Sequence, residues 1–212
     1  MTEPEVAFDD EFAADIADQV QSFLIALGAV ARGDMPDGAL SILLLEVSQL
    51  LLAGGRLGAV VDFVPTERFE PDVGMDPDAD ELRARLAGLL EPIDEYVEVF
   101  DPYATEVELE VSRLSDDLAD VAADLYHGLA HYTSGRTVEA LWWWQFSYLA
   151  NWGATASSAL RALHSAIAHT RLDVETGVDP DDTDDTEDTD DTEDTEDTED
   201  TEDTATESEP GG

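Results

Sequence analysis

Apolar side chains recur at spacings of three and four residues through most of the chain up to about position 170, and this period restricts the fold most. Such spacing places the apolar side chains on one face of an α-helix, whereas a half-buried strand would alternate them every second residue. Runs of this kind begin near Asp10, Pro36, Asp78, Ser112 and Thr137. Amphipathic helices joined by short links pack as antiparallel bundles. The sequence therefore predicts an all-α, single-domain antiparallel helical bundle of five to six helices.

Glycine, proline and short polar side chains indicate where these helices begin and end. We expect the bundle to span residues 10–172, after an N-terminal extension at residues 1–9. Gly33 should end the first helix, and residues 64–80, which hold three prolines, should form a loop. Asp9 or Asp10 suits the N-cap of the first helix, and Ser112 or Ser115 suits that of a later one. Pro36, at a first-turn position, and Asp37 should start the second helix.

One segment is ambiguous between helix and strand. The stretches YVEVF and EVELEV, within residues 96–111, alternate apolar and acidic residues around DPYAT. This pattern fits a β-hairpin. We favour a helix end followed by a loop, because an isolated hairpin in a helical chain has little to pair with.

The C-terminal segment differs in composition from the rest. From Asp179 onward a triplet of threonine and two acidic residues repeats, with 19 acidic and no basic residues. With almost no apolar side chain, it cannot bury enough surface to offset backbone entropy, so residues 173–212 are predicted to be a disordered acidic tail. Removing these 19 from the 52 acidic residues leaves 33 acidic against 9 basic residues. Residues 1–178 therefore carry a net charge of −24 without the last 34 residues.

The charge and composition argue against several classes of protein. The net charge is −43 and the arginines are scattered, which disfavours direct binding to nucleic acid or to an anionic membrane surface. The absence of cysteine excludes disulfides, thiol catalysis and thiolate metal sites. The N-terminus lacks a signal-peptide pattern, and the apolar block ILLLEVSQLLLAGG is broken by polar residues and looks too short to span a bilayer. We expect a cytoplasmic protein with no membrane partner.

All four tryptophans lie in one predicted helix, and three of them are consecutive. Trp143 and Trp144 fall outside the apolar arc of a helical wheel, yet the helix is apolar or small nearly all round, which is typical of burial on several sides. We favour core packing, in which each indole N–H finds a carbonyl or carboxylate. The alternative is that Trp143 or Trp144 lines a pocket or an interface. The apolar arc includes Leu149, Trp152 and Gln145, and a buried Gln145 would need hydrogen-bond partners.

A second candidate is a narrow stripe of acidic and histidine side chains. Asp116, Asp120, Asp124, His127 and His131 follow at spacings of four, four, three and four residues. The acid-x-x-His pair has the spacing by which helical di-metal proteins present two ligands to one ion. The stripe lies almost opposite the predicted leucine and valine face of its helix, however. We therefore favour a solvated or hydrogen-bonded face over a metal site.

Three segments carry a resemblance to a known family: VFDPY, SRLSDDLADVAADLYHGLAHY and ALWWWQFSYLANWGATASSALRAL. From about Phe12 to Leu172 the chain resembles the bacterial domain of unknown function 5063 family, in its actinobacterial form. The resemblance implies an all-helical fold without an established activity. It also implies protein partners among recombinational-repair proteins, since actinobacterial members tend to lie near genes for that process. Many relatives have His where this chain has Asn151, so a role that needed that imidazole is not expected here.

These patterns lead to one functional hypothesis and one alternative. We expect a non-catalytic protein–protein interaction or adaptor module that needs no cofactor. The alternative is a helical-bundle enzyme that binds a metal or small molecule at residues 116–131, with a divalent transition metal on Asp120, Asp124, His127 and His131. The candidate interaction or pocket residues are Arg113, Asp116, Asp117, Asp120, Trp143, Trp144, Gln145, Asn151 and Trp152.

Overall fold

The helices lie along the chain in the order that their apolar periodicity predicts. The computed structural model describes residues 3–65, 79–99, 103, 105–106 and 109–172, with side chains from residue 10 onward. An all-α bundle of five to six helices is confirmed for this part of the chain, with one short hairpin added. The predicted acidic tail and most of the predicted loop at 64–80 lie outside the described residues. The elements are α1 Glu3–Ala31, α2 Ala39–Ala59, α3 Ala79–Leu90, β1 Glu95–Val99, β2 Leu109–Arg113, α4 Leu114–Thr133, α5 Thr137–Ser147, a π-helical turn Tyr148–Trp152 and α6 Gly153–Leu172.

The core forms where the apolar stripes of these helices meet. Gly33 follows α1 with φ of 76°, a left-handed conformation that glycine adopts without strain, and the helix ends there as predicted. Close packing of α2 on the last part of the chain depends on Gly54, because a Cβ there would overlap the rings of Tyr148 and Trp152. Side chains that are at most 1% exposed come from every long helix and include Ile16, Val20, Phe23, Leu27, Leu43, Leu50, Leu118, Leu125, Trp144 and Leu163.

Among the residues that the structure describes, two helices are long and apolar enough to cross a membrane, judged by length and composition alone. They are Asp10–Ala31, within α1, and Ala39–Ala59, which is α2. The expectation that the block ILLLEVSQLLLAGG is too short is therefore wrong, because the helix that contains it continues to 21 residues. Both helices contribute one face to the core, and core helices pass the same test.

The predicted N-caps are wrong at two helices, and a third helix begins later than predicted. α1 begins at Glu3, so Asp9 and Asp10 lie inside it. α2 begins at Ala39, with Gly38 at its N-cap position, so Pro36 and Asp37 lie before the helix. Ser115 lies inside α4, and the side chain of Asp94 caps that helix from outside. A cap supplied by another element cannot be read from the residues next to the helix.

Residues 95–99 and 109–113 pair as two strands of a β-hairpin, so the prediction of a helix end and loop is wrong. β1 and β2 pair antiparallel, with Glu95 opposite Arg113 and Val97 opposite Val111. The hairpin is not isolated, since the Leu114 N–H donates to the carbonyl of Asp94 at 2.8 Å, which ties the strand base to α4. Packing against a helix supplies the stability that a two-stranded ribbon lacks in water.

The tryptophan-containing helix is interrupted by the π-helical turn. A π turn accommodates about one extra residue, so the buried face of α6 is rotated relative to that of α5. A single wheel through both halves therefore misplaces side chains on either side of the turn. Trp144, placed outside the apolar arc, is fully buried, whereas Leu149, placed inside it, is 66% exposed.

Candidate functional site

Three carboxylates on the first turns of α4 form an acidic strip, which we define as Asp116, Asp117 and Asp120. Arg83 of α3 reaches the strip because α3 packs along α4. Its Nε lies 3.0 Å from Asp116 Oδ1 and its Nη2 lies 2.8 Å from Asp120 Oδ1. The same guanidinium also contacts Asp80 at 2.6 Å. One guanidinium therefore pairs with three carboxylates, so this surface keeps a net negative charge.

Asp117 differs from its neighbours in being half-buried against the hairpin. The Tyr96 hydroxyl donates a hydrogen bond of 2.6 Å to Asp117 Oδ2. Burial raises the pKa of Asp117 from 3.8 to about 6, the Tyr96 hydrogen bond opposes this rise, and the charges of Glu98, Asp120 and Asp116 add to it. Burial and the hydrogen bond to Asp117 likewise raise the pKa of Tyr96. The carboxyl group therefore titrates near neutral pH within a negative field.

Arg113, one of the candidate interaction residues, belongs to the junction between the hairpin and α4. Its Nε lies 3.4 Å from Asp94 Oδ2. The Asp94 side chain is almost completely buried, whereas that of Arg113 is half exposed. The positive charge of Arg113 therefore partly balances the negative charge of the buried Asp94 carboxylate, which caps α4.

A second cluster lies further along α4, where α5 and the π turn pack on it. Asn151 Nδ2 donates to Asp124 Oδ2 at 2.7 Å, and Trp143 Nε1 donates to the carbonyl of Asp124 at 2.9 Å. The rings of His127 and Trp143 lie 4.2 Å apart between centroids. The fold thus brings together four residues that the sequence placed on two separate helices.

The predicted metal ligands do not converge. Asp120 pairs with Arg83, and Asp124 accepts from Asn151. The rings of His127 and His131 lie edge to face, 5.2 Å apart. Within the described ranges, no group of three or more histidine or carboxylate side chains is placed to hold a metal ion. The stripe was predicted to be a solvated or hydrogen-bonded face, and solvation is wrong for His131, which is fully buried where α5 packs on α4.

Three of the candidate pocket residues have structural roles in the core. Trp144 Nε1 donates to the Leu125 carbonyl and Trp152 Nε1 to the Trp144 carbonyl, both at 3.3 Å. Gln145 Nε2 donates to the Leu57 carbonyl at 2.8 Å, and its Oε1 accepts from the Phe63 N–H at 2.9 Å. The prediction that Gln145 would need partners in the core is confirmed, and these three side chains have little surface to offer a ligand.

Sequence reasoning missed Phe146, which completes an aromatic surface on α5. We call Trp142, Trp143 and Phe146 the aromatic shelf. The rings of Trp142 and Phe146 stack with centroids 5.8 Å apart and planes 14° apart, and Phe146 is 53% exposed. Trp142 and Trp143 meet edge to face at 6.1 Å. The signal was available in the sequence, since residues four apart on a helix share a face.

Comparisons with known proteins agree with this architecture. The family model described as "Domain of unknown function (DUF5063)" matches residues 8–169. The crystal structure of protein BF1032 from Bacteroides fragilis is similar in fold, with a TM-score of 0.62 at 19% identity over 74% of this chain and 92% of that one. No curated protein matches at a significant level. This structural likeness concerns the fold alone, whereas the family match covers most of the sequence, and the chain therefore belongs to the family of domain of unknown function 5063.

Proposed function

We propose that this protein is a non-catalytic binding module that receives a basic segment of a partner protein on the acidic strip of α4. The observation that carries the proposal is the excess of carboxylate over guanidinium at this surface. Arg83 is shared among Asp80, Asp116 and Asp120, and Asp117 remains beside them. Exposed ion pairs of this kind contribute little to folding stability, so the cluster is better explained by recognition than by stability.

The negative electrostatic potential at the acidic strip determines which kind of partner can bind there. A surface with clustered carboxylates attracts lysine and arginine side chains and raises the rate of encounter with them. Phosphate groups of nucleic acids are repelled by the same field. A basic segment of a protein therefore fits the strip better than a nucleic acid does.

The experiment uses octalysine as a defined basic probe and amide hydrogen exchange as a local readout. We expect octalysine to slow exchange in α3 and the first half of α4 at low ionic strength, and expect this protection to fall as salt rises. The variant Asp116→Asn/Asp120→Asn should lose the protection. A local readout is needed because the C-terminal acidic residues also attract the probe.

The matched control is Asp10→Asn/Glu11→Gln, which removes the same charge from two exposed positions on α1. This control should keep the protection of α3 and α4. Equal protection in the strip variant and in the control would show that the strip is not the binding surface, and the proposal would then be wrong.

A further inference from the structure

We propose that the aromatic shelf is an arginine-recognition site, which stacks a guanidinium of the same basic partner segment that the acidic strip attracts. This inference rests on the proposed function, because the partner is the one that the strip binds. It adds a distinct claim, namely that the partner presents arginine and not merely positive charge at this position.

Phe146 offers an exposed ring surface on which a planar cation can stack. Trp142 and Phe146 are nearly parallel, and more than half of the Phe146 surface is open. The Trp143 ring is held in place by its hydrogen bond to the Asp124 carbonyl and by its ring contact with His127. The rings are therefore held in place before a ligand arrives, so little entropy is lost on binding.

Trp143 of the shelf contacts α4 one helical turn beyond the acidic strip. Asp124, whose carbonyl holds Trp143, lies one helical turn after Asp120. A bound extended segment could thus place one basic side chain at the strip and another at the rings. Carboxylates beside an aromatic face increase its attraction for a cation, because both present negative potential to it.

Charge and ring chemistry together select arginine over other occupants. A guanidinium is planar and weakly hydrated, so it stacks on aromatic faces, whereas the ammonium group of lysine is compact and strongly hydrated. The chain itself contains such a contact, with the Arg56 guanidinium carbon 5.1 Å from the centroid of Phe12. A second copy of the chain is disfavoured, because residues 1–178 of each copy carry a net charge of −24 and the copies repel one another.

The experiment compares octaarginine with octalysine, two probes of equal charge, by tryptophan emission. All four tryptophans lie in residues 142–152, so the emission reports on the shelf and on the core beneath it. Phe146→Leu keeps an apolar side chain and a good helix former at an exposed position but removes the ring. We expect the preference for octaarginine over octalysine to be about two- to fivefold smaller in Phe146→Leu than in the wild type.

The control Tyr103→Leu removes an exposed ring from the connection between β1 and β2 and should keep the wild-type preference. An unchanged preference in Phe146→Leu, with binding still weakened by Asp116→Asn/Asp120→Asn, would overturn the arginine site and leave the proposed function standing. If the strip variant binds both probes as tightly as the wild type, the proposed function fails and the arginine site fails with it.

Discussion

At the scale of single residues, small side chains decide how closely the helices of the site approach. Gly128 lies in the middle of α4, where glycine costs about 1 kcal/mol relative to alanine in a helix. A Cβ at this position would overlap the indole of Trp144, so the glycine makes room for the most buried tryptophan. The same close approach lets Trp143 and Trp144 donate to the carbonyls of Asp124 and Leu125.

Asp117 gives a pH-dependent prediction at the same scale. Its pKa is raised in the folded state, so its contribution to stability is complete below pH 3.8 and is lost as pH rises through about 6. Asp117→Asn is always neutral and can still accept the Tyr96 hydrogen bond. The free energy of unfolding of this variant, relative to that of the wild type, should therefore rise by up to about 2 kcal/mol between pH 4 and pH 7.

Urea denaturation at a series of pH values measures this difference. Asp37→Asn, a substitution at an exposed position before α2, serves as the control and should show a much smaller change over the same range. A constant offset between Asp117→Asn and the wild type at every pH would contradict the prediction.

At the scale of elements, the junction of the hairpin with α4 explains why both are stable. Asp94 accepts from the Ser115 N–H at 2.8 Å and from the Ser115 hydroxyl at 2.9 Å, and its own carbonyl accepts from the Leu114 N–H. The Asp94 side chain thus satisfies the N-terminus of α4 as an N-cap residue would. The hairpin therefore has a structural role, and it also presents Tyr96 to Asp117.

We predict that Asp94→Ala lowers the free energy of unfolding by about 2–4 kcal/mol. The loss combines a missing helix cap with a buried serine hydroxyl left without its acceptor. Chemical denaturation monitored by circular dichroism gives the value, and Glu95→Ala, which removes the adjacent exposed carboxylate, should cost less than about 1 kcal/mol. Equal losses in the two variants would show that Asp94 does not hold this junction.

At the scale of the whole molecule, charge is distributed unevenly along the chain. Residues Met1–Thr176 form one compact unit. The sequence after Asp179 carries 19 of the 52 acidic residues and nearly no apolar side chain that could join a core. The strip and the shelf both lie in the compact unit, so the proposed binding surface does not require the C-terminal residues.

Ending the chain at Thr176 should therefore change the melting temperature by less than about 2 °C, which corresponds to less than about 1 kcal/mol. Differential scanning calorimetry of the full and shortened chains at the same ionic strength gives the comparison. A fall of many degrees on shortening would mean that the removed residues stabilise the compact unit, and the predicted boundary of the bundle would be wrong.

The sequence by itself determined the helical class, the extent of most helices and the burial of Gln145, because the period of apolar side chains and the need to satisfy polar groups act locally. The tertiary structure alone decided the hairpin, the cap from Asp94 and the burial of His131, because each depends on contact with an element distant in the chain. It also decided the approach of Asn151 to Asp124 and the exposure of Leu149. The π turn rotates the buried face of α6 relative to that of α5. A helical wheel drawn with one constant period does not include this rotation, so it misplaces side chains beyond the turn.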